Sequence, residues 1–212
     1  RASKVDGKTG RKPAAMIPPD LPADLRAALA RKAEGLSRTD AAQRAGTISQ
    51  TYRSGGGSNR IRSTDDALAY ALARMPGTYA AVAASLNALL ENNPAFAPQS
   101  LLDVGAGPGT ATWAASEAFP SLGRFDLLDA NAALRDLALD LARSGPRLAS
   151  INYLPGDARK LLADASEADV VVASYVINEV GDADRLAFAD ALWAKTQGAL
   201  LVIEPGRPAG YG

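Results

Sequence analysis

Gly105, Gly107 and Gly109 alternate behind a short apolar run, Leu101, Leu102 and Val104, and Thr110 opens an Ala-rich stretch of helical character. A strand that turns on glycines into a helix begins a nucleotide-binding βαβ unit. A backbone without Cβ atoms can turn sharply and lie against a ligand, and the amides of the first helical turn then face it. Asp129 stands 20 residues beyond Gly109, at the end of a second apolar run, Phe125–Leu128. An acid at that place can accept both hydroxyls of a ribose. The third glycine of the dinucleotide fingerprint G-x-G-x-x-G would fall at position 110, which is Thr. The plainer alternative is a glycine-rich turn that holds no ligand. A second polar group, Tyr175, Asn178 and Glu179, follows the apolar run that ends at Ser174. Strand carboxyl ends in such sheets face the ligand crevice, so these three are the candidate catalytic residues. Their alternative role is a polar turn before a helix capped by Asp182.

Composition narrows the chemistry. The sequence has no cysteine and no histidine. That excludes disulfides, thiolate and imidazole metal ligands, a cysteine nucleophile and a histidine base, and no metal site is expected. Any reaction would rest on carboxylates, tyrosine, asparagine or a cofactor. No apolar run approaches about 18 residues, so no membrane span is expected. The charged amino terminus has no apolar stretch behind it, so a secretory signal is not expected and the expected location is cytoplasmic. The formal net charge of zero hides an uneven distribution. Residues 1–62 carry 13 Lys and Arg against 5 Asp and Glu, whereas residues 63–212 carry 10 against 18. A basic arm on an acidic body suggests an anionic partner such as nucleic acid. The alternative is a solvated tail.

The elements that must position these residues read as follows. Residues 1–19 form a basic tail expected to be disordered, within which Arg1–Ala15 reads as an upstream extension ahead of Met16. A helical region is expected over 20–98. Asp20 and Pro22 start a first helix with Leu21, Leu25, Leu29 and Leu36 near helical spacing, and Ser37 to Asp40 fits a capping box for a short second one. Gly55, Gly56 and Gly57 predict a flexible loop. Tyr52 with Arg53, Arg60 and Arg62 beside it could stack on and pair with RNA, or simply belong to a mobile linker. Thr64 and Thr78 predict the caps of a third and a fourth helix, separated by Pro76 and Gly77. From residue 99 onward apolar strands alternate with helices. Strands are predicted at 101–104, 125–128, 150–154, 170–174 and 199–203. The fold class is therefore α/β, a doubly wound parallel sheet of order 3-2-1-4-5 with its switch point beside the glycines.

The pattern D-x-G-x-G-x-G at 103–109 resembles motif I of class I S-adenosylmethionine (SAM) methyltransferases. Four stretches, RMPGTYAAV at 74–82, LLDVGAGPGTATWA at 101–114, SYVINEV at 174–180 and VIEPGRPAGY at 202–211, resemble bacterial relatives of the mitochondrial small-ribosomal-subunit methyltransferase-like family. The resemblance implies a Rossmann-like sheet with SAM as cofactor. It implies that Asp103 meets the methionine ammonium, with Gly105, Ala106, Gly107 and Gly109 forming the cofactor loop. It implies Asp129 and Ala130 at the ribose, Asp157 and Ala158 at the adenine, and Ser174 at the cleft wall. Asp157 could equally be a helix cap, and Tyr79 could line the cofactor pocket or belong to the core. The implied role is ribosome assembly or rRNA methylation, with rRNA or the small subunit as partner and no DNA. A SAM-binding assembly factor without methyl transfer, and a small-molecule methyltransferase, remain the alternatives; the N-P-P-Y and D-P-P-Y signatures of base-amino methyltransferases are absent.

Class I sheets have seven strands, whereas this sequence provides five, so it reads as a fragment or truncated product of a SAM-binding domain over 99–212. The family's cysteine-rich iron–sulfur segment would lie beyond Gly212. The run ALLVI at 199–203 is then expected at an open sheet edge, where self-association through the fifth strand is the physical expectation.

Overall fold

The computed structural model describes residues 16–37, 39–40, 42–44, 46–47 and 61–205. The predicted disorder of residues 1–15, the glycine loop with Tyr52, Arg53 and Arg60, and the end of VIEPGRPAGY lie outside the described residues. Five parallel strands, β1 (Ser100–Val104), β2 (Arg124–Asp129), β3 (Asn152–Pro155), β4 (Ala168–Ser174) and β5 (Thr196–Ile203), form one sheet of order β3-β2-β1-β4-β5. β1 is buried along its whole length because β2 and β4 flank it and helices cover both faces. Its side chains alternate between two cores, with Leu101 in the larger and Leu102 and Val104 in the smaller.

Two strand-following helices pack on each face of the sheet in the expected alternation, and the two amino-terminal helices join one of these faces. α1 (Ala23–Ala33), α2 (Thr64–Asn92), α3 (Thr110–Ala118) and α4 (Ala132–Ala142) contribute to the larger core, whereas α5 (Ala158–Asp164) and α6 (Asp182–Ala194) cover the other face. The larger core runs without a break from Ile17 and Leu25 through Tyr79 and Leu86 to Phe125 and Leu201, so the amino-terminal helices share their apolar interior with the sheet. No helix among the described residues is long and apolar enough to cross a membrane.

Two sequence expectations change here. The third and fourth predicted helices are one 29-residue helix, α2, with Pro76 inside it. Pro76 and Gly77 lie on the solvent side, where a missing amide donor is tolerable, while Leu68, Ala71, Met75, Tyr79, Val82 and Leu86 make a buried stripe across the break. Packing of that stripe outweighs the local penalty. The cap is Ser63 rather than Thr64: its Oγ accepts from the Asp66 amide at 3.1 Å, and the Asp66 carboxylate accepts from the Ser63 amide at 3.2 Å. Likewise Gly181 caps α6, and Asp182 is its first residue, where its charge faces the positive end of the helix.

The candidate cofactor cleft at the carboxyl ends of the strands

The glycine turn is built from left-handed backbone, with φ of +72° at Gly105, +52° at Gly107 and +80° at Gly109. Only glycine adopts such angles in succession without strain. The turn is anchored on β2, because the Gly105 and Ala106 amides donate to the Leu128 carbonyl at 2.8 and 3.1 Å. The reason for glycine differs along the turn. A Cβ on Gly105 would sit 2.6 Å from Val176 Cγ2, so its close neighbour is the loop after β4. A Cβ on Gly107 would meet only Leu134 Cδ1, at 3.9 Å, which leaves space above the loop.

Asp129 closes β2 beneath this turn. One carboxylate oxygen accepts from the Gly107 amide at 2.9 Å and the other from the Asn131 amide at 2.7 Å. The half-buried acid therefore shapes the loop and still presents free lone pairs outward. Burial raises its pKa above the ordinary aspartate value, against the pull of these amides. Ala130 is exposed beside it.

Sequence reading missed two residues that complete this corner. The Tyr153 hydroxyl on β3 donates to the Gly107 carbonyl at 2.8 Å, and burial raises its pKa. Asn131 caps α4 by accepting from the Leu134 amide at 3.0 Å, and its Nδ2 donates to the Ile61 carbonyl at 3.0 Å. That second bond ties the segment before α2 to the rim of the cleft. The available signals were a buried tyrosine in β3 and an asparagine ahead of a helical pattern, neither of which names a distant partner.

Asp103 is fully buried. One of its oxygens accepts from the Thr112 amide at 3.1 Å and the Thr112 hydroxyl at 2.8 Å. The other, Oδ1, is buried with no hydrogen-bond partner. Burial pushes its carboxyl up to about 7 despite the Thr112 donors, and the neighbouring Asp129 adds to the rise. Asp157 caps α5, accepting from the Arg159 amide at 3.0 Å, and pairs with the Arg159 guanidinium at 2.9 Å. That side-chain bond holds its carboxyl below the usual range. Ala158 is the first residue of α5.

The opposite wall follows β4. Ser174 ends the strand, and Tyr175 has a left-handed φ of 59°, held by its amide donating to the Ile203 carbonyl at 2.7 Å. A non-glycine residue in this region stores strain, which settled structures retain chiefly where a turn must be placed for use. Ile177–Glu179 form a short 3-10 turn, and Glu204 Oε1 accepts from the Ile177 amide at 2.8 Å. Asn178 and Glu179 are exposed in this turn, beyond the carboxyl end of β4. Surrounding protein still thins the water around Glu179, and together with the charges of Asp129 and Glu204 it raises that carboxyl to about 7. Glu204 itself is raised by burial and leaves Oε2 buried without a partner. Glu204 was not foreseen, although an acid directly after an apolar strand is the same signal that marks Asp129. Tyr79 stands apart from the cleft: it is fully buried and lines a different cavity.

These raised carboxyls fix a sign for stability against pH. Asp103 and Glu179 bind protons more tightly folded than unfolded, so their contribution is fully present below about pH 4 and is lost as pH rises through about 7. Asp157 and Asp169, lowered by Arg159 and by the Gln99 amide, oppose this only under more acidic conditions. The chain alone should therefore unfold at a higher temperature at about pH 5.5 than at about pH 8, measured by calorimetry in one ionic strength. An Asp103→Asn chain should show a flatter profile.

An open parallel sheet of this order, with D-x-G-x-G-x-G at its switch point, defines a class I methyltransferase fold. A solved O-methyltransferase family protein from Burkholderia thailandensis shares it, with a TM-score of 0.57 at 15% identity over 84% of this chain and 52% of that one. The family described as mitochondrial small ribosomal subunit Rsm22 matches residues 64–212, and the chain belongs to that family. It is similar to the human protein named ribosome assembly protein METTL17, mitochondrial, with 36% identity over 68% of this chain and 32% of that protein. It is also similar to ubiquinone/menaquinone biosynthesis C-methyltransferase UbiE of Vibrio parahaemolyticus, with 27% identity over 52% of this chain and 42% of the relative. The chain thus spans less than half the length of either curated relative.

Proposed function

We propose that the cleft binds SAM and that the chain is a methyltransferase acting on or near the RNA of the small ribosomal subunit. The observation that carries the cofactor reading is the set of acceptors around the glycine turn. Asp103 Oδ1 is a buried acceptor in want of a donor, Asp129 presents lone pairs at the ribose position, and Gly107 leaves space above the loop. A ligand with an ammonium, a sulfonium and two neighbouring hydroxyls supplies the donors and positive charge that these groups lack. SAM, when bound, supplies an electrophilic methyl group. The chain's own residues would bind and orient: Asp103 toward the ammonium, Asp129 toward the ribose, and the Tyr153 hydroxyl keeping the Gly107 carbonyl fixed. Asp157 would reach adenine only while sharing its carboxylate with Arg159. Asn178 and Glu179, beyond the carboxyl end of β4, would meet the methyl acceptor, with Glu179 able to take up a proton near neutrality. Calorimetry with SAM tests the cofactor reading, and labelled methyl incorporation into small-subunit RNA tests transfer. Binding without incorporation selects the second reading, a SAM-binding assembly factor, which the name of the human relative favours.

RNA association would reside in the basic arm. Leu25, Leu29 and Ile61 are core residues, so the arm can be shortened only ahead of the helices. Deleting residues 1–15 removes five Lys and Arg. It should weaken RNA binding at low salt and reduce the slope of log affinity against log salt by up to about 4. An unchanged slope would place the RNA contacts elsewhere.

A further inference from the structure

Two local costs converge on the turn at 175–179. Tyr175 holds its left-handed φ of 59°, and Glu204, which reaches the turn from the end of β5, keeps Oε2 buried with no hydrogen-bond partner among the described residues. Strained backbone and an unpaired buried oxygen each weaken a fold, and native structures keep them together chiefly where a segment must be placed for use.

What holds this turn comes from β5. The Tyr175 amide donates to the Ile203 carbonyl at 2.7 Å, and the Ile177 amide donates to Glu204 Oε1 at 2.8 Å. The amide and the side chain of Asn178 also hydrogen-bond the Glu204 carboxylate and favour its charged form. Arg185 lies near enough to act on the same carboxylate through its charge, but its Nε donates to the Val180 carbonyl and its guanidinium pairs with Asp182. The N–H groups of the turn are therefore what grip Glu204. Val176 has a tied residue on either side, and it is the residue that the glycine turn meets. A Cβ built on Gly105 would stand 2.6 Å from Val176 Cγ2 and 2.7 Å from Val176 Cβ. Gly105 is fastened in turn to β2, its amide donating to the Leu128 carbonyl at 2.8 Å. The sheet brings these parts together: β1 and β5 are the two neighbours of β4, so the glycine turn and Glu204 flank the end of β4 from opposite sides. A line of contacts thus runs from Glu204 through the Ile177 amide and Val176 to Gly105.

We propose, on the reading of this cleft as a SAM site, that Glu204 is a positioning residue of the cofactor cleft. By holding the Ile177 and Asn178 amides it keeps Val176 seated on Gly105, and the glycine turn keeps the shape that retains the ligand. Reach, not charge, is then the property that matters. Aspartate keeps the charge but is one methylene too short to hold both amides, whereas glutamine keeps the reach and one acceptor oxygen.

The test compares the parent with Glu204→Ala, Glu204→Asp and Glu204→Gln, and uses Asp164→Asn, at the carboxyl end of α5, as the control. Calorimetry gives SAM affinity well below each thermal midpoint. Hydrogen exchange without SAM reads the amides of Ile177, Gly105 and Ala106 against that of Leu102 in β1. Glu204→Ala and Glu204→Asp should weaken SAM binding about tenfold, Glu204→Gln should stay within about threefold of the parent, and Asp164→Asn should match it. In the first two chains the Ile177, Gly105 and Ala106 amides should exchange faster while Leu102 keeps the parent rate. A carboxylate that only stabilises the fold would speed exchange at all four amides together and leave the affinity of the folded chain alone, and that result overturns the proposal. So does the opposite order of affinities, with Glu204→Asp near the parent and Glu204→Gln weak. SAM binding by the parent with no change in Glu204→Ala overturns this proposal alone, and no SAM binding by the parent overturns the cofactor site together with it.

Discussion

Asp129→Asn should lower SAM affinity about a hundredfold or more, because two hydrogen bonds to a charged acceptor weaken together. The carboxylate does two things. Its oxygens hold the Gly107 and Asn131 amides at 2.9 and 2.7 Å, and in the proposed reading its remaining lone pairs accept from the ribose hydroxyls. An asparagine can accept from one amide but must turn its own NH2 toward the other, so the loop loses an anchor as well as a charge. Calorimetry would show the loss in binding, and the far-ultraviolet spectrum should remain that of the parent. Parent-like affinity would remove Asp129 from the cofactor site.

Gly105→Ala should destabilise the fold by about 3 kcal/mol, the sum of a left-handed backbone cost and an overpacking cost. The new Cβ would stand 2.6 Å from Val176 Cγ2 and 2.7 Å from Val176 Cβ. Because the Cβ itself is in the way, trimming Val176 to alanine should give little rescue. Val176→Gly in the Gly105→Ala background should recover the steric part and leave the backbone part. Urea denaturation of the four chains separates the two costs, and full recovery with Val176→Ala would contradict the geometry.

Sequence made the sheet readable because its signals are local. Each strand is an apolar run, each is followed by a helical pattern, and the glycines at 105, 107 and 109 mark the switch point. Pro76 misled because a proline breaks a helix only where the neighbouring turns have nothing better to do, and the buried stripe from Leu68 to Leu90 is a tertiary fact. Asp129 was legible from its place after β2. Glu204 carries the same local signal after β5, whereas Tyr153 and the Asn131 bond to Ile61 were not legible, because each joins positions far apart in the chain. Asp103 was legible as an acid ahead of the turn, but its buried, half-satisfied state depends on Thr112 folding back over it.

The strand order also dictates a timetable for synthesis. α1 and then α2 leave the ribosome before any strand, and α2 carries an apolar stripe whose partners on α3 and α4 have not yet been translated. β1, β2 and β3 can then pair in sequence, but the other edge of β1 stays open until β4, beginning at Ala168, has emerged. A nascent chain ending at Pro155 therefore displays half a sheet and an uncovered central strand, a state in which chaperones and neighbouring chains compete for the same edge.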